Sequence, residues 1–189
     1  CTVGVALCLI MVYACLATVS AESVWTAVSK THTPIPHHDI PNLSEIDNIF
    51  FAGQPSYDAL ADACEEGVRS VIDIRPHSER DWDEAELMAD YEDVEYYHVP
   101  FASPESLTDE VFDSLLGHLD SAPRPVLFHC KSANRVGAVW IAHRILGDGA
   151  APGDAVQEGL AIGLRTREYL KKTQSYVQRR QAEAAMVDL

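Results

Sequence analysis

Four short apolar runs recur along the chain, and the stretches between them are patterned as helices. The runs are "IFFAG" (Ile49 to Gly53), "VRSVIDIR" (Val68 to Arg75), "VEYYHVPF" (Val94 to Phe101) and "PVLFH" (Pro125 to His129). Each is short and rich in β-branched and aromatic residues, the side chains that pack well on a pleated surface. The last is apolar towards both faces, as a strand covered from each side must be. Ser56 or Asp58 caps a helix running through Glu66 and ended by Gly67. Glu79 to Asp90, with Trp82, Ala85, Leu87 and Met88, reads as a surface helix. Ser106 or Thr108 opens another, with Val111, Phe112, Leu115, Leu116 and Leu119 at helical spacing. Val136 to Leu146 continues the alternation, Pro152 and Asp154 start a further helix, and "TREYLKKTQSYVQRRQAEAAM" closes the chain. Strands separated by helices of this length form βα units. The expected fold is therefore one α/β domain with a mainly parallel sheet of four to five strands and helices on both faces.

A chain of 189 residues suffices for one such core. Four segments follow: a leader at 1–21, an irregular lead-in at 22–48, the α/β core at 49–150, and C-terminal helices of the same domain at 151–189. Thr2 to Ser20 carries no charge, and Val19, Ser20 and Ala21 are small. This reads as an export signal cleaved after Ala21, hence a secretory route to a secreted or periplasmic location. The alternative is a membrane anchor, its apolar length near the lower bound for a span. Cys1, Cys8 and Cys15 fall in the leader, which leaves Cys64 and Cys130 and no disulfide framework. Cys64, on a helix face with Leu60, reads as a small core residue. His32, His37 and His38 sit in the proline-rich "THTPIPHHDIPN" without companion metal-ligand spacing, so a surface lead-in is the reading.

Net charge is −15. Such a surface repels nucleic acid and anionic membranes, and membrane contact is expected only where the N-terminal segment is retained. It also gives an anionic ligand no long-range attraction, so any anion site must be local. The basic residues Arg165, Arg167, Lys171, Lys172, Arg179 and Arg180 read as the outer face of a C-terminal packing cap.

The stretch "PVLFHCKSANRVG" supplies a local site. Open α/β sheets bind ligands beyond the carboxyl ends of their strands, and Cys130 stands at such an end. The amides of Lys131, Ser132, Ala133 and Asn134 can curl around one point, and the following helix start adds free N–H groups. Arg135 can add a two-pronged hydrogen bond to an oxyanion. The same donors favour a thiolate at Cys130, which makes it a nucleophile.

"HCKSANRVG" resembles the phosphate loop of cysteine-dependent phosphatases, whose usual form is His-Cys, five residues, Arg, then Ser or Thr. Here four residues separate Cys130 from Arg135. That spacing is similar to the phosphatase-like domain attached to β-lactamase-like hydrolases, where a Cys-Arg-Ser-Gly-Thr-Arg-Ser loop is typical. "FFAGQPSYDALADACEEGVRSVIDIRP" resembles that family's opening, and "YYHVPF" with the following helix and cysteine strand resembles the remainder, from Asn48 to Leu146. The resemblance implies a protein-tyrosine-phosphatase-like fold and hydrolysis of a phosphomonoester through a cysteinyl phosphate. It implies no cofactor or metal, a monomer, and a phosphorylated small molecule or phosphoprotein as substrate. Cys130 would be the nucleophile and Arg135 the phosphate clamp. His129 would order the loop, or equally be a core histidine bonded to a nearby carbonyl. Arg75 would face the pocket with Asp73 in support, unless the two form a salt bridge at the strand end. Glu105 and Asp109 are the carboxylates available as general acid, though each also suits a helix start.

Three departures bear on turnover. Val136 stands where phosphatases place a hydroxyl that assists departure of the thiolate. Ala133 replaces a common glycine, with fewer backbone angles open to it. Asn134 precedes Arg135, where it could aim an amide donor at the anion or adopt a left-handed conformation. Two other functions fit the same loop: a rhodanese-like sulfurtransferase with a persulfide on Cys130, and a non-catalytic phosphate or anion binder.

Overall fold

Successive residues of a strand face opposite sides of its sheet, and here both sides carry large apolar groups. The computed structural model describes Trp25 and residues 31–187; the 1–21 segment read as a leader, with its three cysteines, lies outside them. The elements are β1 Thr33–Pro34, β2 Ser44–Ile46, β3 Ile49–Ala52, α1 Tyr57–Glu65, β4 Ser70–Asp73, α2 Glu84–Met88, β5 Glu95–His98, α3 Asp109–Ser121, β6 Val126–His129, α4 Asn134–Leu146, α5 Pro152–Ile162 and α6 Arg167–Val187. They form a six-stranded sheet in the order β1-β2-β3-β6-β4-β5. The last four strands of that order are parallel, and β1 and β2 join antiparallel at the β3 edge.

Register sorts the core. Phe50, Leu127 and Val71 lie opposite one another and pack with Leu60, Cys64, Leu87 and Met88 beneath α1 and α2. Phe51, Phe128 and Ile72 face the other way, into a cluster with Leu115, Val139, Trp140 and Tyr176 beneath α3 to α6. Ala52, His129, Asp73 and His98 end the four parallel strands in one row. The expected sheet thus gains strands from a lead-in read as irregular, because Ser44–Ile46 turns back on Ile49–Ala52.

The region read as one surface helix over Glu79 to Asp90 differs more. It is a 3₁₀ turn at His77–Glu79 followed by the short α2. Glu84 is wholly buried there, drawn inward by charged partners rather than by hydropathy. Cys64 and Cys130 belong to different cores and are both free thiols. Burial, with Glu65 nearby, pushes the Cys64 thiol up to about 11. No helix among the described residues is long and apolar enough to cross a membrane.

Helix α4 is buried from Arg135 to His143 and has no solvent face of its own over that span. It crosses α5 at two glycines. A Cβ on Gly137 would stand 2.6 Å from the Gly159 carbonyl oxygen, and one on Gly159 would stand 2.5 Å from Ile141 Cγ1. This close crossing carries the end of α5 back to the start of α4, where a Cβ on Gly163 would meet that of Ala133 at 3.1 Å. The α5–α6 connection therefore lies against the segment that follows β6.

Candidate active site

Strand β6 ends at His129, and the Cys130 N–H donates to the Ala52 carbonyl at 3.2 Å. The chain then leaves the sheet and enters α4 at Asn134. The Lys131 carbonyl accepts from the Gln54 N–H at 3.3 Å, so the Gly-Gln-Pro turn after β3 buttresses the loop. Ala133 turns the chain with φ 61°, a left-handed conformation that costs a non-glycine residue about 1–2 kcal/mol. Its methyl is fully buried against Gly163, and its carbonyl takes the Gly137 N–H at 3.1 Å. Among the described residues, the N–H groups of Lys131, Ser132, Asn134, Arg135 and Val136 donate to no protein acceptor. These are the free amides expected of a loop feeding a helix N-terminus, with the positive end of the α4 dipole behind them.

Arg135 completes the cradle from the first turn of α4. It is 6% exposed; Nη1 donates to the Phe101 carbonyl at 2.7 Å, and Nη2 pairs with the Glu79 carboxylate. Burial works against its charge, but the Glu79 bond and the neighbouring Cys130 prevail and raise it further. Two of its five donors are thus engaged, and Nε makes no bond among the described residues. Glu79 was not singled out by sequence; it lies in a polar stretch with no motif, and only the chain's turn after Pro76 brings it here.

Beneath the loop lies a buried ionic cluster. Arg75, fully buried, donates from Nε to Asp73 Oδ1 at 2.9 Å and also pairs with Glu84. Arg80 reaches Asp73 Oδ2 at 2.8 Å, and His129 Nε2 meets Glu84 Oε2 at 3.1 Å. Arg75 therefore does not face a substrate; it is the strand-end salt bridge, with Asp73 as its partner. Burial pushes the Asp73 carboxyl up, but the His129 and Arg75 interactions overcome it and leave the group below its ordinary value. Burial lowers His129 to about 4, so the ring is neutral near pH 7. Oxygen and nitrogen atoms of Asp73, Glu84 and His129 converge closely enough for a metal ion. Their carboxylates are already taken by two guanidiniums, which a cation would have to displace, so the set does not fit one.

The other expected residues divide. Asp109 is held by Arg179, Nε to Oδ2 at 2.9 Å, in a pair joining α3 to α6; that bond keeps its carboxyl low and turns it to a structural role, not an acid's. Glu105 is exposed and in no ion pair among the described residues, and a hydrogen bond from Ser103 holds it below the usual carboxylate range. The Asn134 side chain is not aimed at an anion. Its Oδ1 accepts from the Arg165 N–H at 2.8 Å and the Thr166 N–H at 3.1 Å, and its Nδ2 donates to Thr166 Oγ1 at 2.8 Å. Val136 points into the α3–α6 core and is fully buried. Tyr169 adds a group the sequence reading passed over: its hydroxyl donates to the Ala102 carbonyl at 3.1 Å, and burial raises it while it feels the charges of Arg135 and Cys130. Its place on the buried stripe of α6 with Thr173, Tyr176 and Val177 was the available signal.

The arrangement can hold a tetrahedral oxyanion between loop amides and one guanidinium, with a sulfur at the strand end. Residues 44–146 match the family described as beta-lactamase hydrolase-like protein, phosphatase-like domain. No curated protein matches the sequence. Among solved structures, TpbA of P. aeruginosa is similar at 21% identity with a TM-score of 0.60, covering 79% of this chain and 89% of its own. The core catalytic domain of the PP-IP phosphatase SIW14 from S. cerevisiae is similar at 15% identity and a TM-score of 0.61, covering 82% and 96%. Tk-PTP in its active form gives 20% identity and a TM-score of 0.56, covering 69% and 92%. At such identities the likeness establishes the fold.

Proposed function

The chain belongs to the phosphatase-like domain family of beta-lactamase hydrolase-like proteins, and from that premise we propose that it hydrolyses a phosphomonoester through a phosphate carried on Cys130. The Cys130 sulfur attacks phosphorus as the thiolate; an S–P bond forms, the P–O bond to the alcohol breaks, and the alcohol leaves with a proton. Water then attacks the cysteinyl phosphate, the S–P bond breaks, and inorganic phosphate departs. The free amides of Lys131, Ser132, Asn134, Arg135 and Val136 and the Arg135 guanidinium meet the equatorial oxygens, where charge concentrates in both transition states.

The observation that carries this reading is the fixed guanidinium. Arg135 is held in place by the Phe101 carbonyl on Nη1 and by Glu79 on Nη2, which fixes its charge beside the loop that carries Cys130. Of the two expected acids, Asp109 is paired with Arg179 and Glu105 is exposed and held below the usual carboxylate range by Ser103, so the proton for the leaving alcohol is assigned to neither. One structure of TpbA holds pTyr and the SIW14 domain holds citrate, an aryl phosphate group and a polyanion respectively. Both ligand chemistries suit a loop of free amides.

The test is phosphate release from an aryl phosphate by the wild type and by Cys130→Ser. The wild type is expected to turn over and the variant to fall by at least about a thousandfold, as loss of a covalent nucleophile does. Formation of thiocyanate from thiosulfate and cyanide, with no phosphate release, would replace the proposal with sulfur transfer.

A further inference from the structure

Six arginines of this chain, Arg75, Arg80, Arg135, Arg144, Arg179 and Arg180, are paired with carboxylates. Arg69 and Arg124 turn to backbone carbonyls. Among the described residues, Lys131, Arg165, Arg167, Lys171 and Lys172 have no carboxylate within ion-pair reach. All belong to the cysteine loop or to the segment after α5, in a chain of net charge −15. Lys171 and Lys172 share a cleft with Glu105 and Glu168, so carboxylates offset that pair. Lys131 and Arg165 are in no ion pair among the described residues.

Arg165 is built onto the loop. Asn134 Oδ1 holds its N–H at 2.8 Å, and its Nη2 donates to Ser132 Oγ at 2.6 Å. Nη1 makes longer contacts with the Ser132 and Gly163 carbonyls, at 3.3 and 3.4 Å. The residue is exposed, so the rest of its guanidinium faces solvent at the rim of the cradle. Lys131, also exposed, directly follows the nucleophile. A brace for Ser132 would need only a neutral donor. Two uncompensated cations beside an anion site do more, because each attracts whatever charge the substrate carries beyond the phosphate being cleaved.

We infer that Arg165 and Lys131 bind a second phosphate of the substrate, and that the preferred class is a small molecule phosphorylated on neighbouring carbons. This rests on the reading of Cys130 and Arg135 as the phosphate site. Ser132 lies two residues from Cys130, at most about 7 Å of backbone, and Arg165 Nη2 rests on its hydroxyl, which keeps the second cation close to the first phosphate and suits a neighbouring one.

The probes are an inositol monophosphate and an inositol bisphosphate with phosphates on adjacent carbons. Phosphate release is measured with the wild type, Arg165→Ala, Arg165→Lys and Lys131→Ala, and binding is measured by calorimetry on Cys130→Ser with and without Arg165→Ala. The wild type should favour the bisphosphate about tenfold in kcat/KM, and the preference should shrink as ionic strength passes about 0.1 M. Arg165→Ala and Lys131→Ala should each cut the preference to about threefold or less, with Arg165→Lys between, as the loss of one charge-assisted contact requires. A wild type without preference, or an Arg165→Ala loss equal on both probes, overturns the inference and leaves Arg165 a brace for the loop. Faster turnover of a phosphotyrosine peptide than of either probe also overturns it. Preferential binding by Cys130→Ser with no turnover by the wild type keeps the second-phosphate site and overturns hydrolysis instead.

Discussion

Removing the carboxylate of Glu84 should unfold far more of this protein's stability than its place on a five-residue helix suggests. The buried cluster balances: Asp73 and Glu84 carry two negative charges against Arg75 and Arg80, with His129 neutral. Glu84→Ala leaves one buried positive charge uncompensated and strips the Glu84 partner from Arg75 and from His129 Nε2. Breaking a buried pair in this way costs about 3–5 kcal/mol, a large part of the roughly 5–15 kcal/mol that holds a domain folded. With a urea m-value of about 2 kcal/mol/M, the midpoint should fall by about 2 M with the slope unchanged. The thermal midpoint should fall by about 10 °C, at roughly 2–4 °C per kcal/mol for a domain of this size. Glu84→Gln keeps one acceptor oxygen but loses the charge, and should fall between the two proteins. A Glu84→Ala loss below about 1 kcal/mol would refute the charge balance. So would a Gln variant less stable than the Ala variant.

Acid should destabilise the fold through His129. Burial lowers its folded value to about 4 against 6.5 unfolded, so the unfolded chain binds the extra proton between those values. Stability from this group is fully present above pH 6.5 and lost as pH falls towards 4, up to about 3 kcal/mol, and a pH series of urea midpoints measures it. Gly137→Ala should cost about 2–3 kcal/mol and loosen the α4–α5 crossing, because its Cβ would stand 2.6 Å from a backbone oxygen. Thermal unfolding reads the cost, and an unchanged midpoint would contradict the crossing. Val136→Ser should speed breakdown of the cysteinyl phosphate in single-turnover assays while costing about 1–3 kcal/mol of stability for a hydroxyl placed in the apolar core. No change in the second step would show that the missing hydroxyl does not limit turnover.

The parallel strands and the cysteine loop were legible because their signals are local. A run such as Val126 to His129 needs no partner to be recognised, and Cys130 and Arg135 are separated by only four residues of sequence. Capping by Ser56 and Thr108 was legible for the same reason, since a side chain accepting an N–H three residues ahead is a short-range event. What escaped depends on contacts between distant positions. Glu79 meets Arg135 across 56 residues, and Glu84 meets His129 across 45. Glu84 also misled by type: charge at a helix position reads as surface unless its partners are known. Arg75 and Asp109 were plausible site residues by chain order, and each was claimed by a nearer ion of opposite sign. The lead-in hid β1 and β2 because Pro34, Pro36 and Pro41 break the pattern, and those short strands take their register from β3.

The central claim is that phosphate is transferred to one sulfur in a cradle of amides and a pinned guanidinium. Rapid acid quench during turnover of a ³²P-labelled phosphomonoester, followed by peptide mapping, tests it directly. The account predicts label on the peptide carrying Cys130, stable to acid, absent in Cys130→Ser and sharply reduced in Arg135→Ala. Turnover of the same substrate with no label on that peptide, or with activity retained in Cys130→Ser, would contradict it.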